Sequence, residues 1–433
     1  METPLVNVGI LTEKAVDFVF NEEYVHTESG NAFIGEQKAS CLNDRIVFNG
    51  KLYDGLSFEP SSRTASFDLK EVAIGIDFHW QRKEDQRFRG TLNIVARGDK
   101  IIAINRVDVE EYLTSVISSE MSATASTEFL KAHAVISRSW LLSRIYTTEH
   151  LSDRQTACRT DDELVRWYDH EDHDMFDVCA DDHCQRYQGI TRASTQLVAE
   201  ATGLTRGEIL VNNGAICDTR FSKCCGGITE RFENVWEPTL HSYLTALRDS
   251  PDTNLPDLTT EAEAARWICS SPESFCNTND KGILSQVLNN YDRETTDFFR
   301  WKVWYPQEQL SRLICRKSGI DFGGIIDLIP LRRGSSGRIE KLKILGTRFT
   351  YTIGKELEIR RTLSESHLYS SAFVVEKEAD EGGLPKSFTL TGAGWGHGVG
   401  LCQIGAAVMG ARGYGYRQIL AHYYPGAEIE KKY

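Results

Sequence analysis

A chain of 433 residues exceeds one typical domain, and with 41% hydrophobic residues it can bury a large core. Its net charge of -13 argues against a nucleic-acid binder, whose phosphate contacts demand clustered Lys and Arg. No apolar run approaches the length that spans a bilayer, and the first residues lack the basic start and apolar core of a signal peptide, so the chain either stays inside the cell or has been trimmed.

Residues 1–105 alternate apolar and polar positions over short runs broken by Gly, Asn and Asp. The clearest are Val6–Leu11, Ala15–Phe20, Arg45–Phe48, Val72–Ile76, Gly90–Ala96 and Lys100–Asn105, which predict a β-rich region with no chemistry of its own. The period then becomes helical. Asp108 can cap a helix and Glu111 can bond back to it, while Val109, Leu113 and Val116 follow at spacings of four and three. Glu120 falls four further on, in line with that apolar stripe. A carboxyl there loses hydration that its ionised form needs, which suits a group that must hold a proton near neutral pH. The alternative is a helix-end glutamate that snorkels into water.

Ser126 or Thr127 can cap a second helix running through Leu142, on which Lys131 and Arg138 stand two turns apart on one face. Two cations so placed can orient the acid or hold a polar substrate, or can be solvated surface charges. A polar, charge-dense loop follows with His170, His173, Cys179, His183 and Cys184. These borderline and soft ligands, on a stretch with little apolar periodicity, fit a tetrahedral zinc site, and a Cys179–Cys184 disulfide or free thiols is the alternative. A structural or site-shaping ion is favoured, because the loop has no separate proton-transfer partner at a recognisable spacing.

Ser194–Thr202 reads as a helix or a strand pair, and Ile209–Cys217 as a hairpin turning at Asn-Asn-Gly. Gly226-Gly227 then lets backbone come close to a ligand or simply ends a strand. The acidic, proline-bearing stretch 248–279 looks inserted. Cys269 and Cys276 can close a disulfide there in an oxidising compartment, and the odd total of 11 cysteines leaves at least one thiol outside any intrachain pair. Beyond it come a strand from Phe299, a helix over Gln307–Lys317, a hairpin of Arg338–Gly346 with Phe349–Ile353, and a short helix over Leu357–Leu363. In the closing block, glycines at 392, 394, 396, 398 and 400 leave a backbone that can hug a ligand or another segment, Trp395 offers a face for sugars, and His397 a proton donor or acceptor. Gln403 opens the next helix. The expected architecture is α+β, with short-stranded β regions around a catalytic helical pair: 1–105, 106–247 with helices and metal loop, 248–298 inserted, an accessory α+β lobe over 299–390, and 391–433 completing the core.

Val107–Leu113, Ser119-Glu120-Met121 and Leu130–Arg138 resemble the core of the SpoIID family, the stage II sporulation protein D and amidase-enhancer group. Gly394–Ala406 and Tyr414–Gly426 resemble the same family's closing signature. The resemblance implies a peptidoglycan lytic transglycosylase in the cell envelope, acting on glycan strands stripped of stem peptides, with Glu120 as general acid then base. It implies a groove lined by Phe221, Ser222, Lys223, Trp395, His397 and Gln403, with Lys131 and Arg138 tuning the acid or holding substrate. Zinc ligands would be His173, Cys179 and Cys184, with His183 or His170 as substitutes. Hydrolytic glycosidases need two carboxylates, and only Glu120 has a convincing setting. One acid suffices when a muramoyl C6 hydroxyl attacks its own anomeric carbon. The alternatives are a non-catalytic wall-binding module that stimulates an amidase, and a zinc hydrolase built on the His/Cys loop.

Overall fold

The computed structural model describes residues 2–75, 81–121, 125–146, 156–168, 173–181, 183–191, 196–287, 297–379 and 383–433. With 24% of the described residues in helix and 38% in strand, both element types carry the fold, as an α+β chain requires.

The alternating runs of the N-terminal region join one large sheet. Leu5–Glu13 (β1) pairs with Lys100–Asp108, which leads through Thr91–Arg97 and Gly55–Pro60 to Ala15–His26, Ala32–Leu42, Arg45–Phe48 and Lys51–Tyr53. A hairpin of Ser66–Ile74 and Arg82–Arg89 lies against Ala15–His26. Because strand side chains alternate in direction, Val16, Phe18, Phe20 and Tyr24 all point inward and meet Phe48, Phe58, Phe67 and Phe88. Phe20 stacks on Tyr24 at 4.5 Å, one of several aromatic pairs each worth about 0.5–1.5 kcal/mol beyond area burial. The alternation does not reveal Ala32–Leu42, since most of that strand is exposed or half-exposed on both faces.

Strand Lys100–Asp108 runs without a loop into helix α1 (Val109–Glu120), capped by the Asp108 carboxylate accepting from Glu110 N–H at 2.8 Å. Helix α2 (Thr127–Tyr146) follows, its first turn capped by Ser126. From Phe129 to Leu142 every residue of α2 except Lys131 is buried. A helix apolar almost all round sits at a centre, and α2 is packed by α1, by α3 (Gln196–Leu204), by the strand Glu208–Asn212, and by helices Gln403–Ala411 and Tyr416–Tyr423. The predicted hairpin is present, Val211 facing Ile216 and Asn212 facing Ala215. Asn213 and Gly214 have φ of 50° and 77°, the pair of positive values a type I′ turn needs.

The region beyond residue 299 follows its predicted order: strand Arg300–Pro306, helix Gln307–Ser318, strands Ile339–Gly346 and Thr350–Gly354, and helix Glu356–Thr362. The five-stranded sheet built on the two hairpin strands also holds Ile325–Arg333, beside Ile339–Gly346, and Glu163–Arg166, which pairs parallel with Thr350–Gly354 and antiparallel with Ala157–Arg159. The stretch after 248 is more built than its composition suggests: Glu261–Ile268 and Lys281–Val287 are helices, and Phe275, Cys276, Leu284 and Val287 lie in the core around α2.

Candidate functional site

Glu120 is the last residue of α1 and half-buried. Its neighbours Ile117 and Met121 belong to the apolar core that also holds Phe129, Cys224, Leu401 and Ile404, so the helix delivers the carboxylate to the rim of that core. Among the described residues Glu120 makes no hydrogen bond or ion pair.

The two cations set on one face of α2 have different tasks. Lys131 pairs with Glu128 at 2.8 Å, and Glu128 in turn accepts from Tyr416 N–H at 2.8 Å, tying α2 to the start of helix Tyr416–Tyr423. Arg138 is fully enclosed. Its Nε and Nη2 donate to the two oxygens of Glu110 at 2.9 and 2.7 Å, and Nη1 to the Glu208 carbonyl at 3.0 Å. The expectation that Arg138 holds substrate or tunes Glu120 is therefore corrected: burial directs its planar fork to Glu110. Glu110 also accepts from Tyr433 OH at 2.6 Å. The capping-box expectation changes with it, because Glu111 makes no return bond among the described residues.

The groove segments predicted from the two sequence blocks come together. Phe221–Ser222 pairs parallel with Leu401–Cys402, and Cys224 exchanges two main-chain hydrogen bonds with Trp395, at 3.1 and 2.8 Å. Phe221, Lys223, Trp395 and His397 are half-buried, whereas Ser222 and Gln403 are 7% and 2% exposed and lie beneath the surface instead of lining it. Trp395 packs between Phe298 and Tyr369, at 4.9 and 4.6 Å between ring centroids. Lys223 Nζ donates to the Val287 carbonyl at 2.7 Å.

The alternating glycines serve the protein's own packing. Gly394, Gly396, Gly398 and Gly400 all have φ between 70° and 88°, and a side chain at Gly398 or Gly400 would run into the Arg338 guanidinium or the Arg220 carbonyl. Close approach of two segments accounts for this pattern. His397 accepts from Val399 N–H at 3.0 Å and packs edge-on against Trp236 at 4.9 Å. Burial, and after it the guanidiniums of Arg220, Arg338 and Arg360, hold its pKa well below the usual imidazole value, so the ring is neutral.

His133, which the sequence did not single out, joins the pieces. It is fully buried on α2, with Nδ1 3.1 Å from Ser137 Oγ, Nε2 3.3 Å from the Gln403 amide nitrogen, and its ring edge-on to Phe221 at 4.8 Å. Burial first, then Lys223, pushes its pKa down to about 3. The only signal for it in the sequence is a polar residue four positions from Phe129 and from Ser137, set between Ala132 and Ala134.

The His/Cys loop folds against β1. Val178–Cys179 pairs parallel with Val8 and Gly9, and the Asp177 carboxylate accepts from Asn7 N–H at 2.7 Å. His173 Nε2 and His183 Nδ1 lie 3.2 and 3.5 Å from Cys184 Sγ, and the ligand atoms of His173, Cys179, His183 and Cys184 all lie within 4.8 Å of one another. Two imidazoles and two thiols so placed fit a small divalent ion. His183 joins the predicted trio, and His170 lies outside the described residues. A cavity of about 940 Å³ opens beside this loop, bordered also by Tyr168, Arg186, Arg360 and Arg361. Cys269 and Cys276 are not paired with each other. Both are free thiols, Cys269 exposed and Cys276 buried with Cys225 at 3.6 Å.

Residues 97–212 match the family described as Stage II sporulation protein, and residues 230–400 match a domain of unknown function. An uncharacterized protein of Brachyspira hyodysenteriae is 27% identical over 342 residues, 79% of this chain and 72% of that protein. The Amidase enhancer of Bacillus subtilis is 24% identical over 337 residues, 73% of this chain and 40% of its own length. The Stage II sporulation protein D of Bacillus subtilis is 22% identical over 331 residues, 76% of each. No helix among the described residues is long and apolar enough to cross a membrane.

Proposed function

From the premise that this chain carries a SpoIID domain over residues 97–212, we propose that it works on the bacterial cell wall as a lytic transglycosylase of peptidoglycan glycan strands. The observation that carries the reading is Glu120: a half-buried carboxylate that ends α1 with no protein partner among the described residues, at the rim of the core on which Phe221 and Trp395 also pack. An acid without a neutralising cation can both give and take a proton.

Glu120 would protonate the glycosidic oxygen as the bond to the muramoyl anomeric carbon breaks. The C6 hydroxyl of the same sugar then closes on that carbon and returns its proton to Glu120. The products are a free hydroxyl and a 1,6-anhydro end, the acid is regenerated, and no water is consumed. Trp395 and Phe221 would supply apolar faces for sugar rings, and Lys223 a hydrogen-bond donor. His133, His397 and Gln403 would position Phe221 and the glycine-rich turn from beneath. The set His173, Cys179, His183 and Cys184 would hold zinc as a staple of the loop to β1, and Glu120 needs nothing from it to move its proton.

The test is to incubate the protein and Glu120→Gln with peptide-free glycan strands and read the products by mass spectrometry. Anhydro-muramoyl ends are expected from the wild type alone. The name of the Amidase enhancer relative favours a second reading, a wall-binding module that stimulates an amidase. On that reading both proteins leave the strands intact, and both raise the rate of an added wall amidase.

A further inference from the structure

Three cysteines from three distant parts of the chain meet in the core beneath the groove strand, with the Cys224 thiol beside Cys276 and Cys402. Cys225 follows the strand Phe221–Ser222, Cys276 comes from the stretch that looked inserted, and Cys402 caps the helix Gln403–Ala411. Cys225 Sγ lies 3.6 Å from Cys276 Sγ, and Cys225 N–H donates to Cys402 Sγ at 3.2 Å. Asp249 completes the group, its carboxylate accepting from Tyr423 OH at 2.6 Å and from Cys276 N–H at 2.9 Å. The three sulfurs and a carboxylate oxygen all lie within 4.8 Å of one another. None of the four side chains reaches solvent: their residues are 0–2% exposed.

Packing alone explains a buried cysteine, which behaves as a small hydrophobe. It does not explain why a carboxylate is carried into the same dry pocket, where an unneutralised charge costs several kcal/mol. Arg300 stands nearby but gives its hydrogen bonds to the carbonyls of Gly226, Trp267, Ser270 and Phe299. The spacing also excludes a disulfide and leaves room for an ion. A disulfide needs sulfurs about 2.05 Å apart. Two thiolates on one tetrahedral zinc, with bonds of about 2.3 Å, stand about 3.8 Å apart, close to the 3.6 Å between Cys225 and Cys276.

We propose that Cys225, Cys276, Cys402 and Asp249 form a second metal centre of the zinc class, separate from the His173–Cys184 loop. Bound there, the ion ties the groove strand, the 249–276 stretch and the closing helix to one point. It is structural: three thiolates and a carboxylate fill a tetrahedral shell and leave no position for water.

The test uses the full chain with Cys179→Ser and Cys184→Ser, which disables the loop site, purified under reducing conditions, stripped of metal and titrated with Co²⁺ alone. One equivalent should bind with the intense visible bands of tetrahedral cobalt thiolate. Adding Cys402→Ser should abolish the bands, and adding Asp249→Asn, which keeps all three thiols, should weaken binding roughly tenfold or more. The proposal is overturned if the loop-disabled protein, folded by circular dichroism, gives no bands, or if peptide mapping of the unreduced protein finds Cys225 bonded to Cys276. Loss of the bands in Cys224→Ser with no effect of Asp249→Asn would overturn the place of Asp249 in the shell. Because the readout is bound metal and not strand cleavage, its failure is independent of any failure of the transglycosylase reading.

Discussion

Replacing Arg138 by Met removes a charge that the fold has fully enclosed. The Arg138 side chain is 0% exposed and that of Glu110 11%, and the two are joined by a bidentate pair at 2.7 and 2.9 Å. Breaking such a pair from one side costs about 3–5 kcal/mol, most of it for the carboxylate left behind. Glu110 retains Tyr433 OH at 2.6 Å and Gly207 N–H at 3.3 Å, which places the expected loss near the lower bound, about 3 kcal/mol. For a cooperative unit of ordinary domain size that is a fall in Tm of roughly 6–12 °C. Thermal unfolding by circular dichroism reads it, and Glu110→Gln combined with Arg138→Met should recover part of the loss because no orphan charge remains. An Arg138→Met protein that melts with the wild type yet no longer binds or cleaves glycan would refute the structural assignment and return Arg138 to the substrate.

His133 makes the fold acid-sensitive. The folded ring stays neutral down to about pH 3, whereas an unfolded imidazole takes its proton near pH 6.5. The stability it secures is complete above that unfolded value and is lost as pH falls toward 3, by roughly 4–5 kcal/mol. Urea unfolding at pH 7 and pH 4 should show a smaller difference for His133→Asn than for the wild type. Trp395→Ala should weaken retention on glycan strands about tenfold, read by sedimentation with insoluble wall, with a melting loss no larger than the aromatic contacts to Phe298 and Tyr369 explain, about 1–3 kcal/mol. Cys184→Ser should lower the metal content of the purified protein by one ion per chain, and chelation of the wild type should slow strand cleavage only as far as it loosens the loop from β1. Gly398→Ala should melt well below the wild type, since the added methyl meets the Arg338 guanidinium on a backbone at φ 78°.

Local patterns carried the fold a long way. Alternation marked Ala15–His26 and Lys100–Asp108, Asn-Asn-Gly marked a turn, and the stripe Val109, Leu113, Val116 marked α1, because each signal lies within a few residues of the structure it specifies. Apart from the groove segments, which the family resemblance joined, side-chain partners were legible only where they are near in sequence. His173, Cys179 and Cys184 share one loop. Arg138, by contrast, answers to a carboxylate 28 residues away, and helical spacing alone cannot tell a surface cation from an enclosed one. Cys225 finds Cys276 across 51 residues and Cys402 across 177, so no count of cysteines or local spacing could join them. Strand Glu163–Arg166 was hidden for the same reason: beyond its short local partner Ala157–Arg159, it joins the sheet through Thr350–Gly354.

The near-complete enclosure of α2 also sets a timetable for synthesis. His133 and its partner Gln403 are separated by 270 residues. At 5–20 residues per second a ribosome takes on the order of tens of seconds to make the intervening chain. Throughout that interval α2 can dock on α1, α3 and the strand Glu208–Asn212 but lacks the helices Gln403–Ala411 and Tyr416–Tyr423, so the face they cover stays open to solvent. Holdase chaperones should find their binding site there, and a chain stalled before residue 403 should aggregate through α2 even though its N-terminal sheet is complete.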